Sequence, residues 1–188
     1  MARKRKRQRK TEESTFLSVL VDSYEAHVEA CVNHVVYAPQ LGWLREEGDH
    51  LFEFKTRLQV TGTSRWPEER AGDTYELTIY GEDAPSSRLH ATLKDAQKRD
   101  KYGAPQYRTY RGSEIPVYEP PKGVGTLDKV RGEPRWSGWL FAKPCFVRDA
   151  LVLLGHGKPV YLAINERKEQ RRRWLQSVAL QTAAPEDE

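Results

Sequence analysis

Three stretches of the chain gather side chains that could hold a polyanion. In KRDKYGAPQYRTYRG, residues 98–112, the cations Lys98, Arg99, Lys101, Arg108 and Arg111 are interleaved with Tyr102, Tyr107 and Tyr110. Tyrosine rings stack on unpaired bases while the cations neutralise phosphates, and neither contact needs a particular base. In NERKEQRRRW, Asn165 to Trp174, seven of ten residues are charged, and Arg171, Arg172 and Arg173 are consecutive. A guanidinium grips a phosphate through two parallel N–H bonds, which suits this run to a phosphate backbone. The competing reading is a solvated turn in which Glu166 and Glu169 pair locally. The third stretch is MARKRKRQRK, where Arg3, Lys4, Arg5, Lys6, Arg7, Arg9 and Lys10 carry seven positive charges and no negative one. Such an arm orders on contact with phosphate; a solubilising tail or a nuclear-localisation signal has the same composition.

Other chemistries leave fainter traces. The sequence contains no GxxxxGK[ST] phosphate cradle, GxSxG elbow, HExxH or CxxC pair. His27, Cys31 and His34 would share a helix face at i, i+4 and i+7, with His50 or Cys145 as a fourth zinc ligand. Cys31 also fits the apolar stripe, which favours packing over a metal, and no metal or cofactor is expected. Glu53 and Lys55 on one strand face, with Asp22 upstream, are the residue types with which a metal-dependent nuclease holds a divalent cation and offsets phosphate charge. Alternating charges on any solvent-facing strand give the same string.

The charges are polarised along the chain. The net charge is +4. Residues 11–93 hold 6 basic and 15 acidic side chains, a balance of −9, whereas residues 94–185 hold 18 and 9, a balance of +9. A polyanion would meet the arm and the second half, and be repelled by the first. Hydrophobic residues make up 38% of the 188, enough for one core. No run is long enough to span a membrane, and two cysteines, Cys31 and Cys145, do not make a disulfide framework. The expectation is a cytoplasmic protein, or a nuclear one in a eukaryotic source.

The elements that must position these residues follow from periodicity. Leu17, Leu20, Val21, Tyr24, Val28, Cys31, Val32 and Val35 repeat at three and four residues, which predicts an amphipathic helix over 14–37. That helix is also the candidate dock for a protein partner. Period-two alternation predicts strands near 50–62 and 74–81 as a hairpin, and further strands near 135–142, 159–164 and 173–181. Phe146, Val147, Ala150, Leu151 and Leu154 share a face of a helix over 145–154 that stops at Gly155. Recurrent Gly and Pro predict a long loop over 95–134, with short strands near 106–110 and 115–118.

The result is an α+β, β-rich fold. Residues 12–182 form a single domain, an OB-like five-stranded barrel whose strands follow the N-terminal helix, with a disordered basic arm (1–11) before the domain and an acidic tail (183–188) after it. The expected function is non-enzymatic binding of nucleic acid, DNA or RNA, most suitably a single strand or structured RNA. The alternatives are an assembly subunit of a larger complex and a metal-dependent nuclease.

Overall fold

The structure, a computed structural model, describes residues 13–32, 52–81, 96–119, 121–169 and 172–185. It is dominated by strands: β1 (Glu13–Val32), β2 (Phe52–Trp66), β3 (Thr74–Gly81), β4 (Tyr107–Tyr110), β5 (Ser113–Pro116), β6 (Gly125–Lys129), β7 (Arg135–Ala142), β8 (Tyr161–Glu169) and β9 (Arg172–Gln181). Among the described residues one α-helix, α1 (Pro144–Leu154), follows β7, with Pro144 at its first turn, where a missing N–H costs nothing.

Seven strands close into a barrel in the order β1-β2-β3-β7-β6-β9-β8, and β4 and β5 form a separate hairpin. The barrel therefore has seven strands, not five. An odd ring cannot alternate direction all the way round, so at least one neighbouring pair must be parallel. Here that pair is β3–β7, with Thr74 beside Arg135 and Gly81 beside Ala142, and the other six pairs are antiparallel. A parallel pair needs a long crossover rather than a tight turn. The stretch between β3 and β7 supplies it, and β4, β5 and β6 lie within it.

The core is the barrel lumen. Leu17 and Val19, Leu58 and Val60, Tyr75, Leu77 and Ile79, Leu127, Leu140, Leu162 and Ile164, and Leu175 point inward from successive strands. Period-two alternation puts them on one side of the sheet. α1 closes one end of the lumen by burying Val147 and Ala150. Gly81 makes this seating possible: a Cβ there would lie 2.0 Å from the Thr56 hydroxyl and 3.0 Å from Val147.

The expected N-terminal helix is a strand where it is described. Its residues from Ser14 to Val32 belong to β1, which pairs with β8 on one edge and β2 on the other, and residues 33–37 lie outside the described residues. The physical reason is a β-bulge between Val21 and Ser23. Before it the inward positions are Leu17, Val19 and Val21; after it Tyr24 pairs with Val60, so that side of the sheet continues through Tyr24, Ala26 and Val28, which are exposed. The parity switch breaks the two-residue repeat and produces spacings of three and four that mimic a helix. β6 was the other strand hidden from periodicity, inside the stretch expected as loop. The basic arm 1–11 lies outside the described residues, as do 186–188 of the acidic tail.

Candidate nucleic-acid interface

The crossover carries an ordered excursion, residues 96–119. Its strands are joined by backbone bonds from Lys98 N–H to the Val117 carbonyl, Gln106 N–H to Lys98 and Val117 N–H to Gln106. Asp100 folds the first bend by accepting from the N–H groups of Tyr102 and Ala104 at 2.8 and 2.9 Å. β4 and β5 meet through Arg111 and Gly112, both at positive φ (51° and 81°), the geometry of a two-residue hairpin turn. The expected cations and rings therefore sit on a folded unit.

The rings of this unit face water. Tyr102 is 81% exposed, Tyr107 and Tyr110 are 55% and 56% exposed, and Tyr118 joins them at 47%. The Lys101 ammonium lies 4.7 Å from the Tyr102 ring centre, and the Arg111 guanidinium lies 5.3 Å from that of Tyr110. Lys98 pairs with Glu119 and Arg99 donates to the Gly103 carbonyl, while Arg108 is exposed on β4. Tyr107 and Tyr110 are an odd number of residues apart on β4, so they project from opposite faces. The excursion thus presents rings on two sides.

The barrel's outer surface adds a second set, which period-two reading of TYELTIYG and RWSGWLFA could have located. Register aligns His27, Arg57, Tyr80 and Phe141 in one file across β1, β2, β3 and β7. The adjacent file runs Thr78, Trp139, Thr126, Trp174 and Arg167 across β3, β7, β6, β9 and β8. Tyr80 and Phe141 have ring centres 5.6 Å apart, Phe141 and Trp139 5.3 Å, and Lys122 lies 5.7 Å from the Trp174 ring. All four rings are half-buried. A cavity of about 220 Å³ opens beside the first file, lined by His27, Glu29, Lys55, Thr56, Arg57 and Tyr80.

The arginine run, which falls between the strands expected near 159–164 and 173–181, is not a turn in its described residues. NERKE is the continuation of β8 and not a turn; Arg172 and Arg173 begin β9, and Arg171 lies outside the described residues. Arg172 is exposed, whereas Arg173 turns into the barrel mouth and ion-pairs with the fully buried Glu166. Arg70, from the connection between β2 and β3, donates to the same Glu166 oxygen at 2.7 Å and to the Tyr75 hydroxyl at 3.3 Å. Trp136 packs between these groups. Its indole N–H donates to Asp73 at 2.8 Å, its ring stacks parallel to Tyr75, and Arg70, Arg173 and Lys129 lie 4.5, 5.1 and 5.5 Å from its centre.

This cluster closes the lumen opposite α1. Burial alone would lower the Arg70 pKa, but its hydrogen bonds to Glu166 and Tyr75 outweigh that and raise it. Burial pushes the Tyr75 hydroxyl up, with the Arg70 bond partly opposing. The only negative group that Arg173 touches among the described residues is thus the chain's own Glu166. Sequence reasoning missed the cluster because its members come from the β2–β3 connection and from β3, β6, β7, β8 and β9; the signal was the buried parity of Glu166 with Leu162 and Ile164.

Of the other candidate residues, Glu53 and Lys55 stand two apart on β2, as expected. Among the described residues no three His, Cys, Asp or Glu side chains are grouped to hold a metal ion. His27 and Cys31 lie on β1, His34 and His50 lie outside the described residues, and the Asp22 carboxylate accepts from the Thr63 hydroxyl at 2.7 Å. No described helix is long and apolar enough to cross a membrane. Comparison with models of known protein families, with curated proteins and with solved structures finds no match to this chain.

Proposed function

We propose that the protein acts by binding nucleic acid, a single strand or structured RNA, and that it does so without catalysing a reaction. One observation carries the reading. The folded excursion holds four tyrosines that are each about half or more exposed, and two of them lie under cations of the same unit. A large ring normally buries its area, so holding several outward on a hydrogen-bonded frame prepares stacking surfaces at low ordering cost. Cations beside the rings place positive charge where phosphates flank a stacked base. Arg172 and the basic arm, Arg3 to Lys10, add sequence-independent attraction in this scheme, and the half-buried aromatic files on the barrel extend the surface.

Salt dependence tests the electrostatic half of the proposal. If about six phosphates are engaged on a single strand, log K should fall with log[salt] at a slope of about −4. Affinity for labelled single-stranded RNA or DNA is then expected to drop a few hundredfold between about 50 and 200 mM salt, with a shallower slope once residues 1–10 are removed. A flat salt profile, or no binding at low salt, would overturn the proposal.

A further inference from the structure

The structure also points to a partner for a strand edge on which, among the described residues, no other strand lies. β8 covers the outer edge of β1 as far as Val21, whose N–H donates to the Val160 carbonyl at 2.9 Å. From Asp22 to Val32 the strand continues, paired with β2 on its other side, but no described strand lies on this one. A long flat edge with unpaired backbone groups is a template for another strand. It is also apolar along one face: Val28 is 73% exposed, Phe54 opposite Ala30 is 71% exposed, and Tyr24 and Val32 are more than a third exposed.

We propose that a second copy of this chain pairs antiparallel along this edge, with Val28 on the two-fold axis. The charge pattern and the extent of β8 select that register. In a symmetric antiparallel pair, facing residues project to the same side of the sheet, so one residue must face its own copy. Centring on Ala26 would bring residues 31 and 32 of the second copy opposite Val21 and Leu20, where β8 is already bonded. Centring on His27 sets Glu25 opposite Glu29, and centring on Glu29 sets that carboxylate against itself; like charges directly opposite are unfavourable.

Centring on Val28 avoids all three. It uses the whole open edge from Tyr24 to Val32, faces Tyr24 with Val32 and Ala26 with Ala30, and sets His27 opposite Glu29 twice. These last two residues already approach to 3.9 Å within one chain. The interface therefore has an apolar side and a charge-complementary side. It joins two barrels into one continuous sheet, independently of any nucleic acid.

The test is sedimentation velocity of the full chain across the micromolar range, with Val28→Glu alongside and circular dichroism to check its fold. A concentration-dependent dimer is expected, and Val28→Glu should raise its dissociation constant at least about tenfold, since it faces two carboxylates on the axis. Cysteine pairing tests the register without a disruptive charge. With Cys31 and Cys145 changed to Ser, Val28→Cys should cross-link to its own copy under mild oxidation, whereas Tyr24→Cys should do so only together with Val32→Cys. A monomer at every concentration overturns the proposal. So does a dimer left intact by a folded Val28→Glu variant, or one in which Val28→Cys fails to cross-link.

Discussion

Glu166 decides how the Arg-rich stretch should be understood. Its charges were evident in sequence, and so was the suitability of three consecutive arginines for phosphate. What sequence could not supply is which arginine turns inward, because that depends on the register of β8 against β9. Register makes neighbours of Glu166 and Leu175, putting Arg173 on the lumen side and Arg172 outside. The two residues should therefore fail differently when changed. Glu166→Ala leaves the partly buried Arg70 and Arg173 without the carboxylate they share and should cost about 3–5 kcal/mol. Arg173→Gln leaves Glu166 held by Arg70 and should cost about 1–3 kcal/mol. Arg172→Gln should leave stability within about 0.5 kcal/mol while weakening nucleic-acid binding. Denaturant unfolding of the three variants checks the order, and equal effects from Arg172 and Arg173 would contradict the placement.

At the scale of elements, the strands with an unbroken two-residue repeat were legible and the interrupted ones were not. Phe54, Leu58 and Val60 of β2, Tyr75, Leu77 and Ile79 of β3, and the α1 stripe ending at Gly155 keep one period throughout. β1 changes parity at its bulge and so read as a helix. β6 was concealed by glycine, which usually marks a loop. Gly125 serves another purpose here: it faces Leu140 on β7, and a Cβ would lie 2.0 Å from the Trp139 carbonyl oxygen and 2.8 Å from Leu140. Both atoms are on or beside the backbone, so β6 could not stay in place. Gly125→Ala should destabilise by about 1–3 kcal/mol or more, because overpacking against backbone finds no flexible side chain to yield. Thermal unfolding checks this, and an unchanged midpoint would mean that β6 is not seated against β7.

For the whole molecule, topology links the barrel to the proposed binding surface. Seven strands force a parallel pair, the parallel pair requires a crossover, and the crossover carries the excursion on which Tyr102, Tyr107 and Tyr110 stand. Sequence alone foresaw a long Gly- and Pro-rich insertion there and its mixture of cations and rings. It did not reveal seven-fold closure, because strand count depends on β1 and β6. Pairing of two copies along β1 would bring two excursions into one particle, which would strengthen binding to a long strand by raising effective concentration.

The measurement that bears most directly on the central claim is a fluorescence-anisotropy titration of single-stranded RNA, single-stranded DNA and duplex DNA at one fixed salt concentration. It compares the unaltered protein with Tyr102→Ala/Tyr107→Ala/Tyr110→Ala and with the matching triple Phe variant. Stacking contributes about 1–3 kcal/mol per base, so the Ala variant should lose at least about a hundredfold in affinity for its preferred single strand. The Phe variant, which keeps the ring faces, should bind within a few fold of the unaltered protein. Equal affinity of the Ala variant and the unaltered protein would contradict the account, because the rings would then face water for some other reason.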